Sequence, residues 1–148
     1  DLVKPALERL GLAYEVQSLN MRPGKPMWFG VLADGRRVLG LPGNPASAMV
    51  CAELFLRPLL LAMQGADPTP PISTARLVHD LPANGPREHW MRVRLTTADG
   101  VVTAHPFSDQ DSSLVSVFAQ ADALLRVPPA SPALPAGTVV DILPMARG

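Results

Sequence analysis

Prolines are the feature that most limits what this chain can fold into. Seventeen of the 148 residues are proline, which is roughly twice the average proline content of ~5%. Proline lacks a backbone N–H and interrupts helices, so a proline about every nine residues excludes a long helical bundle or a coiled coil. Apolar residues make up 47% of the chain and charged residues 18%, which is enough apolar matter for a packed core. The length allows one domain or two small ones.

Bulk charge and hydropathy argue against two classes of partner. Thirteen basic and thirteen acidic residues cancel, which disfavours a nucleic-acid or membrane-surface role driven by charge. The longest apolar run, at residues 59–63, is far shorter than the ~18 residues of a membrane span. The single cysteine, Cys51, cannot form an internal disulfide, and no signal-like segment opens the sequence. We therefore expect a cytoplasmic protein without nucleic-acid or membrane partners.

A proline-rich segment divides the chain into two differently patterned parts. Residues 65–71 read Gly-Ala-Asp-Pro-Thr-Pro-Pro, a run of turn formers that cannot join a strand ladder. We therefore predict one unit at residues 1–66 and another at residues 67–148. The first unit alternates helical and strand patterns, which is typical of an α/β fold. The second unit is mostly β and predicts a small barrel or sandwich with one short helix.

Local signals predict the individual elements of both units. In the first, they indicate a helix at 2–10, a strand at 14–19, a hairpin around Asp34-Gly35, and a long apolar helix at 48–64. That helix begins with Asn44 as N-cap and Pro45 as first residue, and Pro58 should kink it near Arg57. Because it is apolar all round, we expect it to be well buried. The second unit has predicted strands at 73–79, 89–97, 101–105, 124–127 and 138–143, and a helix at 114–121.

The loop Arg22-Pro23-Gly24-Lys25-Pro26 is the first candidate for chemistry. Two prolines fix φ, and the glycine between them permits a positive φ. Such a loop can hold Arg22 and Lys25 in a preset geometry that suits an oxyanion such as phosphate or molybdate. An ordinary exposed turn with two solvated charges accounts for the same spacing.

A second candidate is the stretch Leu-Pro-Gly-Asn-Pro-Ala-Ser at 41–47. A glycine turn at a helix start can point free backbone N–H groups at an anion, and Ser47 adds a hydroxyl. The stretch is neither a Walker loop nor a dinucleotide fingerprint. A capped helix without a ligand explains it equally well.

The remaining polar residues give weaker signals. Arg87 precedes the strand at 89–97, and Asp-Ser-Ser at 111–113 precedes a helix, where serines usually serve only as caps. The three histidines, at 79, 89 and 105, lack metal-ligand spacing. Cys51 lies in an apolar helix and is predicted to be a buried, inert thiol.

Four features in sequence resemble one family. They are Arg-Pro-Gly-Lys-Pro at 22–26, a hairpin, Gly-Leu-Pro-Gly-Asn-Pro-Ala-Ser at 40–47, and an apolar helix that ends in Arg57-Pro58. On these motifs the chain resembles the MoeA family of bacterial molybdopterin molybdenumtransferases, to which animal gephyrin is related. Asp-Ser-Ser-Leu at 111–114 and Ala-Asp-Ala-Leu at 121–124 are similar to the family's C-terminal domain. The resemblance covers essentially the whole chain and about the last third of a full member.

The resemblance carries expectations about fold and activity. It implies that residues 1–66 are the C-terminal portion of a MogA-like, doubly wound α/β domain and that residues 67–148 form a small, mostly β, barrel-like domain. It implies insertion of molybdate into adenylated molybdopterin with release of AMP, assisted by Mg²⁺, in a full-length homodimer. The isolated chain is expected to be inactive. The competing function is a non-catalytic anion- or partner-binding module, a scaffold fragment related to gephyrin.

The resemblance also implies which residues form the site. Arg22, Lys25 and Arg87 fall on catalytic positions, as cations near molybdate. Asp1 falls on the last acidic residue of a Gly-Asp-x-Asp stretch that binds the metal. The positions implied to bind the cofactor are Pro42, Gly43, Asn44, Pro45, Ser47, Ser112 and Ser113.

Overall fold

A computed structural model describes residues 2–110 and 115–145 of the chain. The first unit contains α1 (Val3–Arg9), β1 (Ala13–Val16), β2 (Met21–Arg22), β3 (Trp28–Val31), β4 (Arg37–Gly40), α2 (Pro45–Cys51), a π-helical turn (Ala52–Leu56) and α3 (Arg57–Met63). The second contains β5 (Ser73–Leu77), β6 (Glu88–Ala98), β7 (Val101–Pro106), α4 (Val115–Gln120), β8 (Ala123–Val127) and β9 (Val139–Pro144). Each predicted element has a counterpart, and the α/β-then-β order is confirmed.

The first unit has a three-stranded antiparallel sheet in the order β1-β3-β4. The predicted hairpin forms as β3 and β4, with Gly35 at a positive φ of 84° in the turn. Gly40 lies directly beneath Trp28, and a Cβ at residue 40 would fall 1.9 Å from that ring, so only glycine permits this approach. The predicted strand 14–19 is wrong at its C-terminal end, because β1 stops at Val16 and Met21–Arg22 forms a separate strand.

The long helix runs from Pro45 to Met63 with an irregular middle. Pro58 lacks an N–H and crowds the preceding turn, and the backbone widens into the π-helical turn just before α3 begins. The helix therefore does not end near Arg57 but continues through Pro58 after a π-helical turn, and a kink at this position stays a prediction. The expectation of a well-buried helix is wrong, since Leu60 and Met63 are 46% and 59% exposed. The three-stranded sheet is too small to cover every face of this helix.

The second unit forms a closed barrel of five strands within residues 73–144. Strands pair in the order β6-β7-β5-β9-β8, and β8 returns to β6 to close the ring. Alternate residues of β6 point inward, so Val93 packs with Leu125 and Ile142 in the barrel core while Met91 and Leu95 border it. This architecture resolves the predicted choice between barrel and sandwich.

The two units share a second core. Met21 and Val50 of the first unit pack against Trp90, Leu124 and Leu143 of the barrel strands. In addition, β2 pairs in parallel with β6 and becomes an extra strand at the edge of the barrel sheet. Residues 21–22 thus join the second unit's sheet although they lie in the first unit's sequence.

Within the described ranges, the continuous helix Pro45–Met63 is long and apolar enough, on length and composition alone, to cross a membrane. The core helix of a soluble protein passes the same test. This property therefore does not identify a membrane segment.

Candidate functional site

The Arg22–Pro26 loop is fixed to the barrel through its first residues. Met21 pairs with Glu88, and Arg22 pairs with His89, in the parallel β2–β6 ladder. The Glu88 N–H also donates to the Asn20 carbonyl at 3.0 Å. Since β2 is part of the barrel sheet, Arg22 lies beside the start of β6, where Arg87 is located.

Gly24 presses the same loop against α2. Its φ is +118°, as the sequence predicted, and a Cβ there would lie 2.6 Å from Cys51 Sγ and 3.2 Å from Met21 Cε. Both the backbone conformation and the lack of space require glycine. The turn closes with a hydrogen bond from the Met27 N–H to the Gly24 carbonyl at 3.0 Å, so Lys25 projects from a constrained turn.

Asn84 connects Arg22 with the segment that carries Arg87. Arg22 Nη2 donates to Asn84 Oδ1 at 2.8 Å. Asn84 Nδ2 in turn donates to the Arg87 carbonyl at 2.8 Å. Asn84 thus links the side chain of Arg22, in the first unit, to the backbone of Arg87, in the second.

The three predicted cations carry no compensating carboxylate among the residues described. Arg22, Lys25 and Arg87 are exposed, and none of them is in a described ion pair. Glu88, the nearest acidic neighbour of Arg87 in sequence, is directed elsewhere, because its carboxylate pairs with Arg126 at 2.8 Å and accepts from Trp90 Nε1 at 2.8 Å. The edge at Arg22 and Arg87 therefore keeps its positive charge available for an anion.

His89 adds a titratable group beside Arg22. Burial is the main cause that lowers the pKa of His89 from 6.5 to about 4, and the charges of Arg22 and Arg92 lower it further. The imidazole is therefore neutral at physiological pH. Only the smaller part of this lowering, the part due to Arg22 and Arg92, reflects positive charge near the ring.

A small cavity opens at this point. It measures about 80 Å³, and its lining includes Arg22, Asn84 and His89. Pockets for organic ligands usually occupy roughly 300–1,000 Å³, so this cavity has the dimensions of an inorganic ion. A wider depression of about 910 Å³ on the barrel contains none of the predicted site residues and is lined partly by His79, Arg94 and His105.

The N-terminus of α2 is capped from within. Asn44 Oδ1 accepts hydrogen bonds from the Ser47 N–H at 3.3 Å and from the Ser47 hydroxyl at 3.4 Å. Pro45 occupies the first helical position, as predicted. Pro42, like Ser47, is buried, whereas Gly43 is exposed. The cap itself is thus confirmed, while a role for these residues in binding a ligand stays a prediction.

Three predicted positions, Asp1, Ser112 and Ser113, lie outside the described residues. Their proposed roles at a metal and at the cofactor stay predictions. No group of three or more His, Cys, Asp or Glu side chains in the described part of the chain is placed to hold a metal ion.

Two family profiles match the chain. The profile of the probable molybdopterin binding domain matches residues 1–62, and that of the MoeA C-terminal region, domain IV, matches residues 74–145. The chain belongs to the MoeA family.

Relatives and solved structures agree with this assignment. A molybdopterin molybdenumtransferase from Synechococcus elongatus is 35% identical over 96% of the chain, and the molybdenum cofactor synthesis protein cinnamon from Drosophila melanogaster is 30% identical over 97%. A crystal structure of the MoeA protein from Pyrococcus horikoshii covers 97% of the chain with a TM-score of 0.78 and 30% identity. The chain spans 34%, 24% and 34% of these three proteins. The fold is that of a MogA-like α/β region followed by the MoeA barrel.

Sequence reasoning missed Asn84 and His89. Asn84-Gly85-Pro86 has the composition of an ordinary turn, and the spacing of the three histidines argues only against a metal site. No local signal marks either residue. Both gain their position from the pairing of β2 with β6, which joins distant parts of the chain.

Proposed function

We propose that this chain is the C-terminal part of a molybdopterin molybdenumtransferase and supplies the oxyanion site at which molybdate is held for insertion into adenylated molybdopterin, with release of AMP. The names of the Synechococcus and Drosophila relatives and the two matching family profiles support this reaction. The activity belongs to the complete protein, and we expect the chain alone to be inactive.

One observation carries the proposal. Asn84 accepts a hydrogen bond from the Arg22 guanidinium and donates one to the backbone carbonyl of Arg87, while Lys25 lies in the turn closed by Gly24 and Met27. None of the three cations has a described acidic partner. Exposed cations without carboxylate partners leave their charge and hydrogen-bond donors available to an external anion.

The proposed role of Arg22, Lys25 and Arg87 is electrostatic. Molybdate is a tetrahedral dianion, so guanidinium and ammonium groups neutralise it and orient its oxygens through hydrogen bonds. Arg22 supplies a planar fork of donors, whereas Lys25 supplies a compact point charge. A protein nucleophile is unnecessary, because the dithiolene sulfurs of the pterin take the metal. Cys51 is unsuited to that role, since burial raises the pKa of its thiol to about 11.

Magnesium and the dimer belong to the proposal for the complete protein. Mg²⁺ prefers carboxylate oxygens, and the described residues provide no cluster that fits it. We therefore assign this chain no step that runs through the metal, and Asp1 remains the one proposed ligand. A homodimer and a cytoplasmic location are likewise expectations for the complete protein.

The proposal is tested first by titrating the 148-residue chain with molybdate in a calorimeter. We expect Lys25→Ala and Arg87→Ala each to weaken binding about tenfold, the effect of losing one charged hydrogen bond. Arg37→Ala is the matched control, because Arg37 is also exposed but lies in the hairpin strand β4. Equal affinities for all four proteins would remove both residues from the site.

A second experiment separates the enzyme from the scaffold alternative. The same two substitutions are introduced into the complete protein, and formation of active molybdenum cofactor is measured. A loss of cofactor formation with unchanged protein abundance supports the transferase. If the 148-residue chain alone restored cofactor synthesis in a strain that lacks the enzyme, the proposal that only the complete protein is active would be wrong.

A further inference from the structure

Asn84 makes five hydrogen bonds that join three separate parts of the chain. Its Oδ1 accepts from Arg22 Nη2, and its backbone N–H donates to the Ser131 carbonyl at 2.9 Å. Its Nδ2 donates to three carbonyls, those of Arg87 at 2.8 Å, Pro128 at 2.8 Å and Val127 at 3.3 Å. The β2 strand, the segment before β6 and the end of β8 therefore meet at one side chain.

Only a carboxamide of this length satisfies these partners. The three carbonyls require a donor, and the guanidinium of Arg22 requires an acceptor on the same side chain. An aspartate would set a carboxylate oxygen against the carbonyls, and an alanine would supply neither group. Asparagine fits this position because its side chain both accepts a hydrogen bond from Arg22 and donates hydrogen bonds to carbonyls.

The arrangement restrains the Arg22 guanidinium. The Arg22 side chain is exposed, and its bond to Asn84 is the described contact that fixes its guanidinium. A long side chain in solvent has many rotamers, and an anion must otherwise order it on binding. Asn84 is itself anchored by four bonds to backbone atoms, so it offers Arg22 a rigid support.

We propose that Asn84 is a positioning residue, which holds the Arg22 guanidinium at a fixed place relative to Arg87 so that both face one oxyanion. This inference rests on the proposed function, because it assigns the two arginines to the same anion. Asn84 itself does not bind the anion, because the N–H groups of its side chain already donate to backbone carbonyls. Its contribution is preorganisation of the cationic pair.

The first measurement concerns Arg22 alone and needs no ligand. In the 148-residue chain, ¹⁵N relaxation of the Arg22 guanidinium should report an ordered group. In Asn84→Ala the same signal should become as mobile as that of a solvated arginine. Asn20→Ala is the matched control, because Asn20 Nδ2 also bonds to a carbonyl of this segment, that of Pro86 at 3.0 Å. In that variant Arg22 should stay ordered.

The second measurement is a double-mutant cycle with molybdate as the probe. Asn84→Ala should weaken binding about tenfold when Arg22 is present, and less than about twofold when Arg22 is already alanine. A merely structural role for Asn84 would lower affinity equally in both backgrounds. Thermal unfolding checks each variant, and if Asn84→Ala does not fold, Asn84→Ser replaces it, since serine still bonds one carbonyl but is too short to reach Arg22.

The outcomes separate the two proposals. An Arg22 guanidinium that stays ordered without Asn84, or an equal loss in both backgrounds of the cycle, overturns the positioning role. If the unaltered chain binds no molybdate, the oxyanion site proposed for this chain fails, and the relaxation measurement still decides whether Asn84 orders Arg22.

Discussion

Arg22 and His89 are direct partners in the parallel pairing of β2 with β6. This pairing places a residue of the first unit in the sheet of the barrel, and the carbonyls and amides of the two backbones fix it there. Arg22, a residue of the proposed cationic site, is therefore held in a sheet to which both units contribute strands. Elements of regular structure hold side chains more rigidly than free loops do, which suits a site whose work is electrostatic.

The pH dependence of stability should report His89. The pKa of His89 is about 4 in the folded chain, whereas that of an unperturbed histidine is 6.5. Between pH 6.5 and pH 4 the unfolded chain therefore binds a proton at His89 that the folded chain does not bind. Stability should thus fall by on the order of 2 kcal/mol as pH decreases through this window. His89→Gln, which cannot be protonated, should have a shallower slope. Urea unfolding at a series of pH values measures it, and parallel slopes for both proteins would contradict the assignment.

Gly24 should not tolerate a side chain. Alanine there would combine a φ of +118° with a Cβ at 2.6 Å from Cys51 Sγ, so we expect Gly24→Ala to cost about 2 kcal/mol or more in the free energy of unfolding. Gly85→Ala is the control, because a Cβ at residue 85 meets nothing within 4 Å. Chemical denaturation compares the two variants. A Gly24→Ala protein as stable as the control would mean that the loop does not press on α2.

Leu124 tests whether the two units depend on a common core. It is fully buried between them, so Leu124→Ala should cost about 2–5 kcal/mol. Leu10→Ala, at a residue 64% exposed, should change stability by less than about 0.5 kcal/mol. Trp28 and Trp90 lie in different cores, and single-tryptophan versions follow the unfolding of each. Loss of the native Trp90 signal while the Trp28 signal stays native after Leu124→Ala would contradict a common unfolding transition.

Cys51 should be unreactive while the chain is folded. Its side chain is 0% exposed, and burial raises its pKa to about 11. At about pH 8 an aromatic disulfide reagent should therefore modify it only at the rate of unfolding, whereas a urea-unfolded chain should react at once. Absorbance of the released thiolate measures both rates. Rapid stoichiometric reaction of the folded chain would place Cys51 at the surface.

Local signals in the sequence determined most of the secondary structure. The Asn44 cap, the Asp34-Gly35 turn and the positive φ of Gly24 follow from the chemistry of single residues and their immediate neighbours. Strand β6 follows from the alternation of apolar and polar residues at 89–97. Such features depend on contacts between residues a few positions apart in the sequence, so they can be predicted from the sequence alone.

The degree of burial was less predictable than the elements. The helix Pro45–Met63 is apolar on all sides, yet Leu60 and Met63 remain exposed. Arg92 behaves in the opposite way, since it is 1% exposed although it is charged, and its Nε donates to Gln110 Oε1 at 3.3 Å. Burial depends on which surfaces the rest of the fold supplies, and composition does not contain that information.

The sequence by itself determined that a cationic loop lies at residues 22–26, that a glycine turn precedes a capped helix at residues 41–47, and that both motifs resemble the MoeA family. Only the tertiary structure decided that Arg22 meets Asn84, 62 positions away, and through it Arg87. The reason is physical. Hydrophobic periodicity and turn chemistry act over a few residues, whereas the approach of β2 to β6 is fixed by a shared core in which Met21, Val50, Trp90 and Leu124 are packed together.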